Sequence, residues 1–168
     1  MSIRSFAIAL LTLAAACACS TPAPPAPPTG PSSGSTAAEL TCTGAITTAP
    51  LPTWARAGFS PPDQPAPQVH GIDGSILGVV FGAPLRAPNV PGHGNKILWV
   101  ASPLQGSAPS PSAPNLRIHA TLNGSDVVVD RVISGGPGPS LVDMPRPGCW
   151  TFTLSWSGRT DRLAVPYQ

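Results

Sequence analysis

The chain has 168 residues, nine Lys+Arg against seven Asp+Glu, and only 10% charged residues. Its cations are scattered, with no run and no basic face, which argues against the clustered positive charge that a phosphate backbone demands; nucleic acid is not an expected partner. The 24 prolines and 17 glycines cut the apolar residues into short runs, and one Lys (Lys96) against eight Arg marks a GC-rich bacterial genome rather than a function. At the amino end, Arg4 precedes Phe6–Ala16, a stretch of eleven residues that is apolar apart from Thr12. A bilayer span needs about 20, whereas this stretch has the length of a signal-peptide core.

Small residues and two cysteines follow, Ala14-Ala15-Ala16-Cys17-Ala18-Cys19-Ser20. The segment resembles the bacterial lipobox, with Ala in place of the usual aliphatic first residue. The resemblance implies cleavage before a cysteine that takes the lipid, and hence a membrane partner on the outer face; ordinary secretory cleavage is the alternative. If Cys19 is the first mature residue, Cys17 leaves with the signal and two cysteines remain, Cys42 and Cys149. If Cys17 is modified instead, Cys19 is left as an odd thiol. The reading adopted is a signal peptide over 1–18, lipidated Cys19 opening a linker over 19–38, and a folded domain over 39–168. Two or more acyl chains give stable anchoring, at roughly 0.8 kcal/mol per buried methylene.

Ser20–Ala38 carries no charge, no aromatic and no aliphatic residue larger than Ala. Such a segment cannot bury enough surface to offset ordering entropy. Its Pro-rich first half favours polyproline II, and nineteen residues at about 3.1 Å each reach at most ~60 Å. Gly30-Pro31-Ser32-Ser33-Gly34 fits the esterase G-x-S-x-G pattern. That motif needs a strand before the serine and a helix after it, and this composition forms neither.

Beyond residue 39 the apolar residues recur at period two, so the domain is expected to be all-β. Leu40, Cys42, Gly44 and Ile46 alternate against Thr41, Thr43 and Thr47. Thr53–Ala57 offers a single helical turn. Ser75–Phe81 and Lys96–Ala101 read as buried strands. Leu116–Leu122 alternates, then Asn123-Gly124 gives a hairpin signal, because both turn positions call for positive φ. Asp126–Ile133 is the return strand, and Trp150–Trp156 and Leu163–Tyr167 close the chain. Seven to eight strands with regular turns suggest an immunoglobulin-like β-sandwich.

Outside the cytoplasm, Cys42 and Cys149 are expected to pair. They close a loop of 107 residues, and the chain-entropy model assigns ~4.7 kcal/mol to a loop of about 100. No C-x-x-C spacing is present to tune a redox-active thiol.

Gly94-Asn95-Lys96-Ile97-Leu98-Trp99, Leu141–Met144 and Pro147-Gly148-Cys149-Trp150 resemble a group of small uncharacterised lipoproteins of GC-rich, actinobacterial type. These carry an N-K-x-x-W strand and a late P-x-x-G-[CL]-W strand. The resemblance runs from about Gly71 to the C-terminus. It implies an extracytoplasmic β-sandwich and supplies no catalytic residue.

Three sets of candidate site residues follow. His70, His93 and His119 are the only histidines, and with Met144 or Asp73 they are a metal-handling alternative; their spacing matches no ligand motif, and surface histidines are the simpler reading. No paired carboxylates, H-E-x-x-H or phosphate-cradling loop is present, so neither enzyme nor cofactor is expected, with a cryptic hydrolase as the remote alternative. Pro-rich loops over Ser60–Pro67, Gly82–Gly94, Ser102–Pro114 and Gly135–Pro139 are pre-ordered and suited to binding a cell-envelope protein or glycan; protection from proteases and blocking of edge strands is the simpler reading of them. Trp99, Trp150 and Trp156 fall in core patterns, which leaves Trp54, with Arg56 and Phe59, as the candidate binding aromatic.

Overall fold

The structure is a computed structural model and describes residues 39–103 and 114–168. The leader, Cys17, Cys19 and the linker lie outside the described residues, as does most of the Ser102–Pro114 loop. Nine strands occur among the described residues: β1 Thr47–Pro50, β2 Pro65–His70, β3 Ile76–Phe81, β4 Lys96–Ala101, β5 Leu116–Leu122, β6 Val128–Ile133, β7 Pro139–Leu141, β8 Gly148–Trp156 and β9 Arg159–Tyr167. They form two antiparallel sheets, ordered β1-β2-β3-β4-β7 and β6-β5-β8-β9.

Alternation places one face of each strand in the core. Ile76, Val80, Ile97 and Trp99 of the five-stranded sheet pack against residues of the four-stranded sheet that include Ile118, Trp150, Phe152, Leu154, Leu163 and Val165. Burying a large apolar side chain contributes about 1.5–3 kcal/mol, so this layer dominates the fold's stability. Trp99 and Phe152 meet with ring centroids 6.3 Å apart. Gly78 faces Trp99 across the ladder, and a Cβ there would lie 2.9 Å from the indole. The glycine is small because the neighbouring ring is large.

The unbroken apolar run of β3 has its own cause. Leu77 and Val79 face away from the main core, yet both are buried. Leu51, just before a short 3-10 turn at Thr53–Ala55, and Ala55, its last residue, cover them, with Trp54, Phe59, Leu98 and Val100 packed around. The outer face of the five-stranded sheet therefore carries a second, smaller core.

Several elements differ from the sequence expectation. Leu40–Ile46 forms no strand; its alternation belongs to a strap described below, so Cys42 precedes the first strand. β2 and β7 form where Pro-rich loops were expected. Pro65 and Pro67 pair only with β1, and the ladder to β3 begins at Gln68. Their missing N–H groups therefore cost the sheet little. At Asn123-Gly124 only the glycine takes positive φ, and the loop runs on to Val128. A two-residue hairpin turn with positive φ at both positions forms instead at Ser157-Gly158, φ 46° and 73°, which joins the Trp156–Arg159 pair.

Candidate functional site

The three residues selected from the sequence divide by role. Trp54 is half-buried against the second core, and Phe59 packs beside it. Arg56 turns back, donating from Nε to the Leu51 carbonyl at 2.7 Å. This ties off the 3-10 segment and fixes the guanidinium beside the Leu51 carbonyl. Phe59 opens instead onto a hollow of about 260 Å³, shared with Pro61, Gln64, Pro65, Pro67 and Phe81. Phe81 is 40% exposed, and Lys96 Nζ lies 5.3 Å from its ring centroid, within cation–π range. Sequence reasoning missed Phe81 and Lys96. Their signal was the register: both stand on the outer face, directly opposite each other at the Phe81–Lys96 pair.

The histidines are not brought together. His70 Nε2 lies 3.0 Å from Gln68 Oε1, at the end of β2. His93 Nε2 lies 3.0 Å from the Pro84 carbonyl. His119 Nδ1 meets Asp130 Oδ1 at 2.8 Å across the exposed face of β5 and β6. None of these partners is a serine hydroxyl. Met144 is buried in the main core, and the Asp73 amide donates to Asp161. Among the described residues no group of three or more His, Cys, Asp or Glu is placed to hold a metal ion.

Among the described residues two groups, Asp161 and Tyr167, have displaced protonation, and both are held by the fold. Asp161, on β9, is 1% exposed. It accepts from the Asp73 amide at 3.0 Å, the Ser75 amide and hydroxyl at 2.9 Å, and the Arg162 amide at 2.8 Å. Burial pushes its carboxyl up, but these hydrogen bonds outweigh burial and hold it below the usual 3.8. Gly71 is required here, since a Cβ would lie 2.2 Å from Asp161 Oδ2. Tyr167 donates to the Val142 carbonyl at 2.6 Å; burial, with the Asp143 charge, pushes its phenol well above the ordinary value.

The residues of the N-K-x-x-W and P-x-x-G-C-W segments are likewise structural. Asn95 is fully buried. Its amide pairs with both backbone groups of Arg86, at 2.8 Å each, and donates to Asp143 at 2.8 Å. It thus pins the β3–β4 loop to the β7–β8 connection. Trp99 Nε1 donates to Ser140 Oγ at 3.0 Å, and Trp150 Nε1 to the Arg146 carbonyl at 3.1 Å. Each buried indole has its polar end satisfied.

Cys42 and Cys149 form a disulfide, Cα–Cα 5.5 Å. It sits at the start of β8, outside the main core, unlike the bridge between sheets in antibody domains. Compared with protein-family models, with curated proteins and with solved structures, the chain matches none.

Proposed function

We propose that this chain is an exported lipoprotein, fastened by Cys19 to the outer face of the cell membrane, whose immunoglobulin-like sandwich binds a cell-envelope protein or glycan without catalysing a reaction. The observation that carries binding is the outer-face hollow between Phe59 and Phe81, with its rigid proline wall. Proline walls lose little conformational entropy when a ligand docks. Support for a non-catalytic role comes from the perturbed groups: catalytic sites concentrate displaced protonation equilibria, whereas here Asp161 and Tyr167 spend their hydrogen bonds on backbone groups and, for Asp161, the Ser75 hydroxyl. The disulfide supports an oxidising compartment. The apolar Phe6–Ala16 core and the cysteine after small residues support export and anchoring.

A photo-crosslinking side chain placed at Phe81, compared with one at His119 on the other sheet, tests the binding face in intact cells. A discrete adduct from position 81 and none from 119 is expected. Equal labelling at both positions, or none at 81, would count against the hollow as the binding site.

A further inference from the structure

Residues 39–46 cross from one sheet to the other without forming a strand. Odd-numbered positions of β8 point away from the core, yet Thr151 is only 4% exposed, and Ala164 opposite it on β9 only 7%. The strap accounts for both. Leu40 donates to Thr151 Oγ1 at 3.3 Å. Asn123 Nδ2 donates to the Leu40 carbonyl, and Asn123 Oδ1 accepts from Thr151 at 2.8 Å. Glu39 accepts from the Gly124 amide at 2.8 Å. The strap then passes the edge strand β9. A hollow of about 380 Å³ lies between Cys42, Gly44, Ile46 and Pro84, Pro166 on one side. One of about 260 Å³ lies between Leu40, Thr41 and Val69, His70, Ala164 on the other.

The strap contributes no buried residue to the main core, and only Ile46 touches it from outside. The disulfide is its one covalent hold, and both sulfurs belong to half-buried residues. We infer that residues 39–46 are a thiol-releasable strap: reduction of Cys42–Cys149 detaches it from β8 and β9 and uncovers their edge and outer surface, while the sandwich stays folded. The step needs a dithiol reductant. Its thiolate attacks one sulfur of the bridge, its second thiol resolves the mixed disulfide, and two electrons and two protons pass to Cys42 and Cys149 as the reductant becomes a disulfide. An attached strap carries tension from residues before Glu39 directly into β8, a central strand; a released strap passes it to β1, a four-residue edge strand.

Amide hydrogen exchange on the full-length protein, with and without dithiothreitol, tests this. Reduction should raise exchange at least tenfold at Leu40 and Gly124, whose hydrogen bonds belong to the strap, and leave Phe152 and Leu154 in β8 protected. A Cys42→Ser, Cys149→Ser protein without reductant should reproduce the pattern. Unchanged exchange at Leu40 and Gly124 on reduction would overturn the inference, and so would loss of protection across β5, β8 and β9 together.

Discussion

Replacing Asp161 with alanine probes how the β2–β3 turn is held to the other sheet. In the folded chain its carboxylate accepts four hydrogen bonds, two of them from backbone amides of that turn and one from the Ser75 hydroxyl. A hydrogen bond to a charged group is worth about 1.5–3 kcal/mol, and a buried donor left unpaired costs about 1–3 kcal/mol. Asp73 is exposed, so water will take over part of the loss, and the expected net destabilisation is about 3–5 kcal/mol. That is a large share of the 5–15 kcal/mol typical of a domain. Urea unfolding followed by tryptophan fluorescence measures it. The pH dependence gives an independent reading. A carboxyl held lower in the folded than in the unfolded chain adds stability that is present above its unfolded value and lost as the pH falls through the folded one. Stability should therefore drop below pH about 4, and Asp161→Asn should flatten that slope. A loss under about 0.5 kcal/mol for Asp161→Ala, the range of ordinary surface changes, or an unaltered acid slope for Asp161→Asn would refute the assignment.

Other outcomes follow from the same packing. Asn95→Ala should cost about 2–4 kcal/mol, because it strands both backbone groups of Arg86, with amide exchange at Arg86 and Val142 rising first. Gly78→Ala should destabilise by about 1–3 kcal/mol through contact with Ile97 and Trp99, seen as a lower urea midpoint and a changed near-UV tryptophan spectrum. Ser157→Asn should raise stability by a few tenths of a kcal/mol up to about 1, since asparagine tolerates the positive φ of this turn better than serine does; an unchanged or lower midpoint would speak against the turn assignment.

The sheets were legible wherever packing and local pattern agree. Lys96–Ala101 and Leu116–Leu122 read directly as strands because one face is buried and the flanks are turn residues. Leu40–Ile46 misled because its period resembles a strand, whereas a turn closed by the Ala45 amide on the Cys42 carbonyl, with Gly44 at positive φ, interrupts it. β2 was hidden by its prolines, whose tolerance depends on which neighbour each position pairs with, and that is a property of the register rather than of the residues. Cys42 and Cys149 were legible as a pair, and Cys149 as the opening of β8; the position of Cys42 ahead of the first strand was not. Of the candidate site, Phe59 was visible from its neighbours; Phe81 looked like the last residue of a core strand, and only its outward parity brings it beside Phe59. Arg56 is taken by a backbone carbonyl that local sequence does not reveal.

The most direct measurement is the intact mass of the protein recovered from the membranes of the cell that makes it. A chain beginning at Cys19, carrying a diacylglyceryl thioether and an oxidised Cys42–Cys149 pair, is the expected species. A chain that keeps Met1, or one that starts at an unmodified residue other than cysteine, would contradict anchorage at the membrane and the surface role built upon it.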